Sequence, residues 1–252
     1  MTEDEDVRPS WREACVALVL ATVWVSVVRP GPLSLPYFWD EADVYVPGAR
    51  WVAEHGLDVT PGVFPDDYSR GHPPLLYLLA AVAFRAFGTS PVVGHLVVLP
   101  FTVLTLAGTY LFGRALFGRA AGASAALLLG TTPLAMSIGN MLLPEMPLTA
   151  LAVLSLLAFA RGRIALAALC GVAAVWIKET GIFAAGAIGV GVLFDAWRRR
   201  SLGDAGTWWR AGLAALPLVA LLAFFAWQKA DAGYYVFPHH QRLFEDRPLA
   251  WT

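Results

Sequence analysis

The sequence predicts an all-α protein, a polytopic bundle of about seven transmembrane helices with juxtamembrane helices in the first outer loop. Hydrophobic residues make up 58% of the 252 positions and charged residues 15%, and the mean hydropathy is +0.60. Soluble domains average about 45–50% apolar and about 25% charged residues. The apolar residues also form continuous blocks, as membrane-spanning helices do. A net charge of −1 offers no basic surface for nucleic acid, so that class of protein is excluded.

The first apolar block, Ala14–Val28, follows Arg8 and Arg12 and predicts a membrane helix. A signal peptide is the alternative, because a basic segment before an apolar core is typical of one. However, the residues 29–32 (Arg-Pro-Gly-Pro) stand where a small-residue cleavage site belongs. We therefore expect a retained helix.

Seven further apolar blocks are candidate helices. In order they are Pro73–Gly88, Val92–Phe112, Ala120–Ile138, Pro147–Ala160, Ile164–Ile177, Gly181–Ala196 and Ala211–Trp227. Ahead of them, Tyr45–His55 has the pattern of a short amphipathic helix lying at the membrane interface. The two cysteines, Cys15 and Cys170, both lie inside apolar blocks, so neither a disulfide nor a zinc site is expected.

The arginine clusters predict which blocks cross the membrane. Lys and Arg collect on the cytoplasmic side of short loops, so successive clusters are joined by an even number of crossings. The clusters are Arg8/Arg12, Arg114/Arg119, Arg161/Arg163, and Arg198–Arg200 with Arg210. Three blocks separate the first two clusters, and Pro73–Gly88 is short, begins with two prolines and contains Arg85. We interpret it as a re-entrant or interfacial helix, which leaves seven spans and a cytoplasmic N-terminus.

Four polar features then face the outside. Asp40 and Glu41 follow the first helix, and adjacent carboxylates serve as a general base or bind a cation; the alternative is a solvated acid pair. Glu145 lies between two apolar helices, where a carboxylate is costly and therefore a candidate for function. The alternative for Glu145 is a carboxyl group that reaches back to the interface.

The third feature is Lys178-Glu179, in which Lys178 either holds a phosphate as a point charge or forms a local pair with Glu179. The fourth feature is the segment His239–Arg242 near the C-terminus. Adjacent histidines point in different directions on a regular element, so a shared metal is not implied there.

Six short segments carry a family resemblance. They are Trp39–Glu41, Gly71–Tyr77, Leu111–Gly118, Leu143–Leu148, Trp176–Gly181 and His239–Arg242. Their sequence and order resemble the GT-C membrane glycosyltransferases, and within these the protein O-mannosyltransferase and aminoarabinose-transferase group. In the second acidic loop this chain has Glu145 where Asp is more usual.

The resemblance implies one GT-C-like transmembrane domain over residues 1–252, with a first extracytoplasmic loop over 29–91 and an outer C-terminal segment over 229–252. It implies an integral protein of the cell (inner) membrane with an extracytoplasmic active site. The donor would be a polyprenyl-phosphate monosaccharide, and the acceptor a lipid, protein or glycan hydroxyl, with inversion at the anomeric carbon. No cofactor is certain, and a divalent metal is left open.

The resemblance also implies roles for particular residues. Asp40 and Glu41 are the catalytic pair, with Asp40 deprotonating the acceptor. Glu145 positions the acceptor or a metal. His72, Lys178 and Arg242 bind the donor phosphate.

The sequence departs from the family pattern at three places. Tyr45 falls one residue late, and Pro238 stands where relatives often have Glu. Relatives continue past the position of Thr252 into further helices, so we expect an N-terminal portion of the family fold. Two alternatives remain: a non-catalytic relative that acts as a membrane binding or assembly partner, and a transporter or flippase. A transporter would carry acids within its helices, whereas this chain has them at the helix ends.

Overall fold

The fold is entirely helical over the described residues of the computed structural model, which are 10–28, 32–235 and 237–238. The α-helices are α1 (Trp11–Val28), α2 (Val46–Glu54), α3 (Asp66–Ser69), α4 (Leu75–Phe87), α5 (Pro91–Phe117), α6 (Arg119–Thr131), α7 (Pro133–Ile138), α8 (Glu145–Ala160), α9 (Ile164–Ile177), α10 (Ile182–Arg198) and α11 (Ala205–Ala232). A π-helical turn, Glu41–Tyr45, leads into α2, and a 3₁₀ turn, Glu179–Gly181, leads into α10. The prediction of an all-α bundle is confirmed.

One predicted helix is wrong, because the block Ala120–Ile138 is broken into α6 and α7. Pro133 has no N–H to continue the hydrogen bonds of the helix, and the residue before a proline is pushed into extended backbone. Thr132 accordingly has φ −66° and ψ 136°. Its hydroxyl oxygen accepts a hydrogen bond from the N–H of Ala135 at 3.3 Å, so it caps α7.

Opposite charges gather at the two ends of the bundle. At one end, here called the acidic end, Glu41 contacts His95 at the start of α5, and Glu145 contacts Lys178. At the other, the basic end, Arg114 and Arg119 both bind Glu13. Arg210 and Arg199 bind Asp195 where α10 approaches α11. Seven helical passes (α1, α5, α6 with α7, α8, α9, α10 and α11) run between these ends, each counted within the described residues.

The helix α4 behaves differently, since both of its ends lie at the acidic end. Before its start, His72 contacts Glu179 at 3.0 Å. After its last residue, the carbonyl oxygen of Thr89 accepts hydrogen bonds from Tyr37 and Arg50 of the same loop. The segment therefore leaves and returns at one level, as expected for a helix that does not cross.

Three helical segments within the described residues have the length and apolar character of a membrane span: Pro91–Phe117, Glu179–Arg198 and Ala205–Ala232. The apolar helices α8 and α9 have only 16 and 14 residues. Large apolar side chains such as Leu128, Val190 and Leu222 point away from the protein, as lipid-facing residues do. The protein is thus an integral membrane protein, and the number of seven spans stays a prediction.

The largest buried core among the described residues lies at the acidic end rather than between the long helices. It joins α2, α4 and the segment before α8 through Val52, Tyr77 and Leu142, each at most 1% exposed. Tyr77 also donates a hydrogen bond to the carbonyl oxygen of Tyr68 at 2.6 Å. A packed core at this position gives the acidic side chains above it a rigid base.

Between the long helices, small residues allow close approach. A Cβ added to Gly122 of α6 would lie 2.8 Å from the backbone nitrogen of Arg114 in α5, so only glycine fits there. Close backbone contact at small residues is a main source of helix association in membranes. It brings the short helix α6 against the central helix α5.

Candidate active site

Asp40 lies at the start of the π-helical turn that follows α1, with its side chain 41% exposed. Its Oδ1 is 3.7 Å from Nη1 of Arg70, which follows the short helix α3. The preceding residue, Trp39, has a φ of +55°, a left-handed conformation that is costly for a side-chain-bearing residue. Asp40 is therefore held on a tight backbone reversal, partly open to solvent and beside one cation.

Glu41, by contrast, is 1% exposed, so the two adjacent acids do not form an exposed pair. Its Oε1 accepts hydrogen bonds from the N–H of Leu142 at 2.7 Å and contacts Nε2 of His95 at 3.0 Å. Its Oε2 accepts from the N–H of Phe38 at 3.2 Å. The two carboxylates face in opposite directions, Asp40 outward and Glu41 into the protein.

Glu145 begins α8, and its Oε1 lies 3.1 Å from Nζ of Lys178 at the end of α9. Within the described residues its Oε2 is buried and has no hydrogen-bond partner. The side chain as a whole is 41% exposed, so the carboxylate sits at the edge of the protein with one oxygen turned inward. It is thus able to accept a further hydrogen bond.

Lys178 and Glu179 do not pair with each other in this arrangement. Lys178 has extended backbone, with φ −158° and ψ 140°, between α9 and the following 3₁₀ turn. Adjacent side chains on extended backbone point to opposite sides. Lys178 consequently reaches Glu145, while Glu179 binds Nδ1 of His72 at 3.0 Å.

Tyr45 lies near three of these carboxylates. It is buried and stacks on Tyr77 with ring centroids 5.5 Å apart. Burial raises the pKa of the Tyr45 phenol, and the nearby charges of Glu145, Asp40 and Glu179 raise it further. Three carboxylates from distant parts of the sequence therefore act on one phenol, which stays protonated and able to donate a hydrogen bond.

The end of α11 approaches the same loop. The hydroxyl of Tyr234 donates a hydrogen bond to Asp66. A Cβ on Gly71, whose φ is +74°, would lie 3.2 Å from the Cβ of Phe237. These contacts hold the segment after α11 beside the segment that carries His72; Arg242 lies outside the described residues.

Four of the predicted site residues, Asp40, His72, Glu145 and Lys178, thus lie at the acidic end, and Glu41 is buried next to Asp40. Among the residues that the structure describes, no group of three His, Cys, Asp or Glu side chains is arranged to hold a metal ion. A separate apolar groove of about 540 Å³ lies between α1, α5 and α6, and none of the predicted site residues lines it.

Two residues of this arrangement were not predicted from the sequence. Arg70 stands two positions before His72, and only its contact with Asp40 reveals it. His95 sits in an apolar helix, with its side chain 3% exposed. A histidine inside a membrane helix was the available signal, because such residues usually have a partner.

Comparison with known proteins covers part of this arrangement. A family model described as dolichyl-phosphate-mannose-protein mannosyltransferase matches residues 71–227, which include His72, Glu145 and Lys178 and begin after Asp40 and Glu41. No curated protein and no solved structure matches the chain. The match covers well over half of the 252 residues and agrees with the helical membrane fold. The chain belongs to the dolichyl-phosphate-mannose-protein mannosyltransferase family, whose members are membrane glycosyltransferases of the GT-C type.

Proposed function

We propose that this protein transfers a monosaccharide from a polyprenyl-phosphate donor to an extracytoplasmic hydroxyl acceptor, with inversion at the anomeric carbon. The observation that carries the proposal is the set of ion pairs at the acidic end, within a chain of this family. These pairs bring carboxylates and cations together at one level of the bundle. Glycosyl transfer needs both: a base for the acceptor and cations for the leaving phosphate.

Asp40 is the proposed general base. Its carboxylate is partly exposed, and its ion pair with Arg70 uses Oδ1. Oδ2 would take the proton of the acceptor hydroxyl as the new bond forms. Arg70 would hold the carboxylate in a fixed orientation during this step.

Lys178 and His72 are the proposed ligands of the donor phosphate. Both are partly buried, at 25% and 18% exposure, and each already faces a carboxylate. A phosphate would replace that carboxylate as the partner of each side chain. Arg242 remains a predicted third ligand.

The reaction balances with these groups. The acceptor oxygen loses its proton to Asp40 and forms a bond to the anomeric carbon. The bond from that carbon to the phosphate oxygen breaks, and its electron pair leaves with the lipid phosphate. Lys178 and His72 would stabilise the developing charge, and Glu145, whose side chain is 41% exposed, would position the acceptor.

The proposed orientation puts the acidic end outside and the basic end in the cytoplasm, in the cell (inner) membrane. The excess of arginine at the basic end supports it, because cytoplasmic loops are enriched in Lys and Arg. Residues 1–252 then form one domain, with residues 29–91 as the first outer loop and 229–252 as the outer C-terminal segment.

The test is a transfer assay in which purified protein in lipid receives labelled polyprenyl-phosphate hexose and pentose donors and a panel of hydroxyl acceptors. Asp40→Asn keeps the size of the side chain but removes the base, so we expect its rate to fall by about 10²–10⁴-fold. Asp67→Asn, an exposed acid in the same loop, is the matched control. Wild-type rates in Asp40→Asn, or no transfer by the wild-type protein from any donor, would contradict the proposal.

A further inference from the structure

We propose that His95 is a positioning residue for sugar transfer: as an imidazolium paired with the Glu41 carboxylate, it fixes the two segments that carry Asp40 and Glu145. The reaction itself rests on the proposed function above. The ion pair rests on geometry alone.

Both ring nitrogens of His95 face oxygen atoms. Nδ1 lies 2.9 Å from the carbonyl oxygen of Leu33, and Nε2 lies 3.0 Å from Oε1 of Glu41. A carbonyl oxygen only accepts hydrogen bonds, so Nδ1 carries a proton. If Glu41 is ionised, Nε2 must carry one too, and the ring is then an imidazolium.

Glu41 is held by two backbone hydrogen-bond donors. Each of its oxygens accepts a backbone N–H, from Leu142 on Oε1 and from Phe38 on Oε2. Hydrogen bonds donated to a carboxylate stabilise the charged form. A buried carboxylate also requires a paired charge, and His95 supplies it at 3% exposure.

This pair ties together three stretches of chain that are far apart in sequence. His95 belongs to α5, Leu33 belongs to the short turn after α1, and Leu142 precedes α8 by three residues. Asp40 is the neighbour of Glu41, and Glu145 opens α8. Motion at the pair would therefore move both acids at once.

The surrounding packing supports a rigid arrangement. The Tyr37 ring meets His95 edge-on, with centroids 5.6 Å apart, and its hydroxyl donates to the carbonyl oxygen of Ser90 at 2.7 Å. A Cβ on Gly94 would lie 2.5 Å from that hydroxyl oxygen. The left-handed backbone of Trp39 lies between these anchors and Asp40, and such a conformation persists only where neighbours hold it.

His95 and Glu41 are too buried to touch the substrate, so they act through position and not as reacting groups. Loss of the pair is expected to lower kcat with little change in the KM for the donor, because the ligands of the phosphate are elsewhere. A misplacement of about 1 Å at a reacting group costs about 10²-fold in rate.

The first experiment needs no activity. In wild-type protein labelled with ¹⁵N-histidine, the His95 signals are assigned by their loss in His95→Gln. Two protonated ring nitrogens at neutral pH are expected. One protonated and one bare nitrogen would overturn the ion pair, whether or not the protein transfers sugar.

The second experiment is a double-mutant cycle in the transfer assay. Glu41→Gln, His95→Gln and the double variant should each lower kcat by about 10²-fold, with the double variant no worse than either single one, since the pair acts as a unit. His55→Gln is the matched control, because His55 stacks on Trp51 in the outer loop, away from the pair. Additive losses, or a KM effect in place of a kcat effect, would refute the positioning role.

Folding is checked by thermal melting of every variant. If His95→Gln does not fold, Glu41→Asp takes its place, since it keeps the charge and shortens its reach. An unchanged kcat in a folded Glu41→Asp variant would also refute the positioning role. A wild-type protein without transfer would refute the proposed function and leave the ¹⁵N result to decide the ion pair.

Discussion

Nζ of Lys178 lies 3.1 Å from Oε1 of Glu145, and this contact joins the end of α9 to the beginning of α8. The two residues are 33 positions apart in sequence. The lysine is therefore held at the acidic end by a partner that a bound anion would displace. The free energy of binding an anion at Lys178 is therefore the difference between the contact of the lysine with the anion and its existing contact with Glu145.

Lys178→Ala should raise the KM for the donor by about tenfold and change kcat less. A hydrogen bond to a charged group contributes about 1.5–3 kcal/mol, and part of that is already realised with Glu145 in the free protein. Initial rates over a range of donor concentrations measure the effect. Lys229→Ala is the matched control, since Lys229 donates to the carbonyl oxygen of Gly233 at the end of α11. A fall in kcat alone would assign Lys178 to another step.

The second prediction concerns orientation. In a protein with Cys15 and Cys170 replaced by alanine, single cysteines at Asp67 and Thr89 should react with an impermeant thiol reagent from outside the cell. A cysteine at Arg163 should react only after the membrane is opened. Asp67 and Thr89 flank α4, so labelling of these two positions from opposite sides would show that α4 crosses the membrane.

The third prediction concerns the contact between α5 and α6. Gly122→Ala would drive a methyl group into the backbone at Arg114, and such overpacking costs about 1–3 kcal/mol. The melting temperature in detergent should fall by several degrees. Gly186→Ala on α10 is the control, because no atom outside its own helix backbone lies within 4 Å of the added methyl position. Equal melting of the two variants would mean that α6 adjusts freely.

The fourth prediction compares two arginines that share one acid. Arg114 and Arg119 both bind Glu13, but Arg114 is 3% exposed and Arg119 is 69% exposed. Exposed ion pairs contribute little to stability, whereas breaking a buried one is costly. Arg114→Gln should therefore lower the melting temperature clearly more than Arg119→Gln. The reverse order would show that burial does not set the strength of this pair.

The sequence predicted the helical bundle because its apolar blocks record directly which segments avoid water. It also predicted that Pro73–Gly88 does not cross, and the two ends of α4 agree with this. The break at Thr132 was missed, although Pro133 was visible, because hydropathy is continuous across it. The proline therefore interrupts the helix although the apolar pattern continues through it.

The site was only partly predictable, for a different reason. Asp40 and Glu41 are identical in class and adjacent in sequence, and nothing local shows that one faces solvent and the other is buried. Glu41 is buried against Leu142, which is 101 positions away in the sequence and therefore gives no local signal. Arg70 was missed in the same way, since its partner Asp40 becomes visible only after folding.

The pairing of charges at the acidic end also bears on how the proposed donor would arrive. Arg70 and Lys178 each lie within 4 Å of a carboxylate, so neither projects an unbalanced positive field beyond the protein surface. Long-range attraction of an anion requires an excess of one sign of charge. Capture of the proposed anionic lipid would then depend on its lateral diffusion within the bilayer, and the rate of encounter should scale with donor density per membrane area.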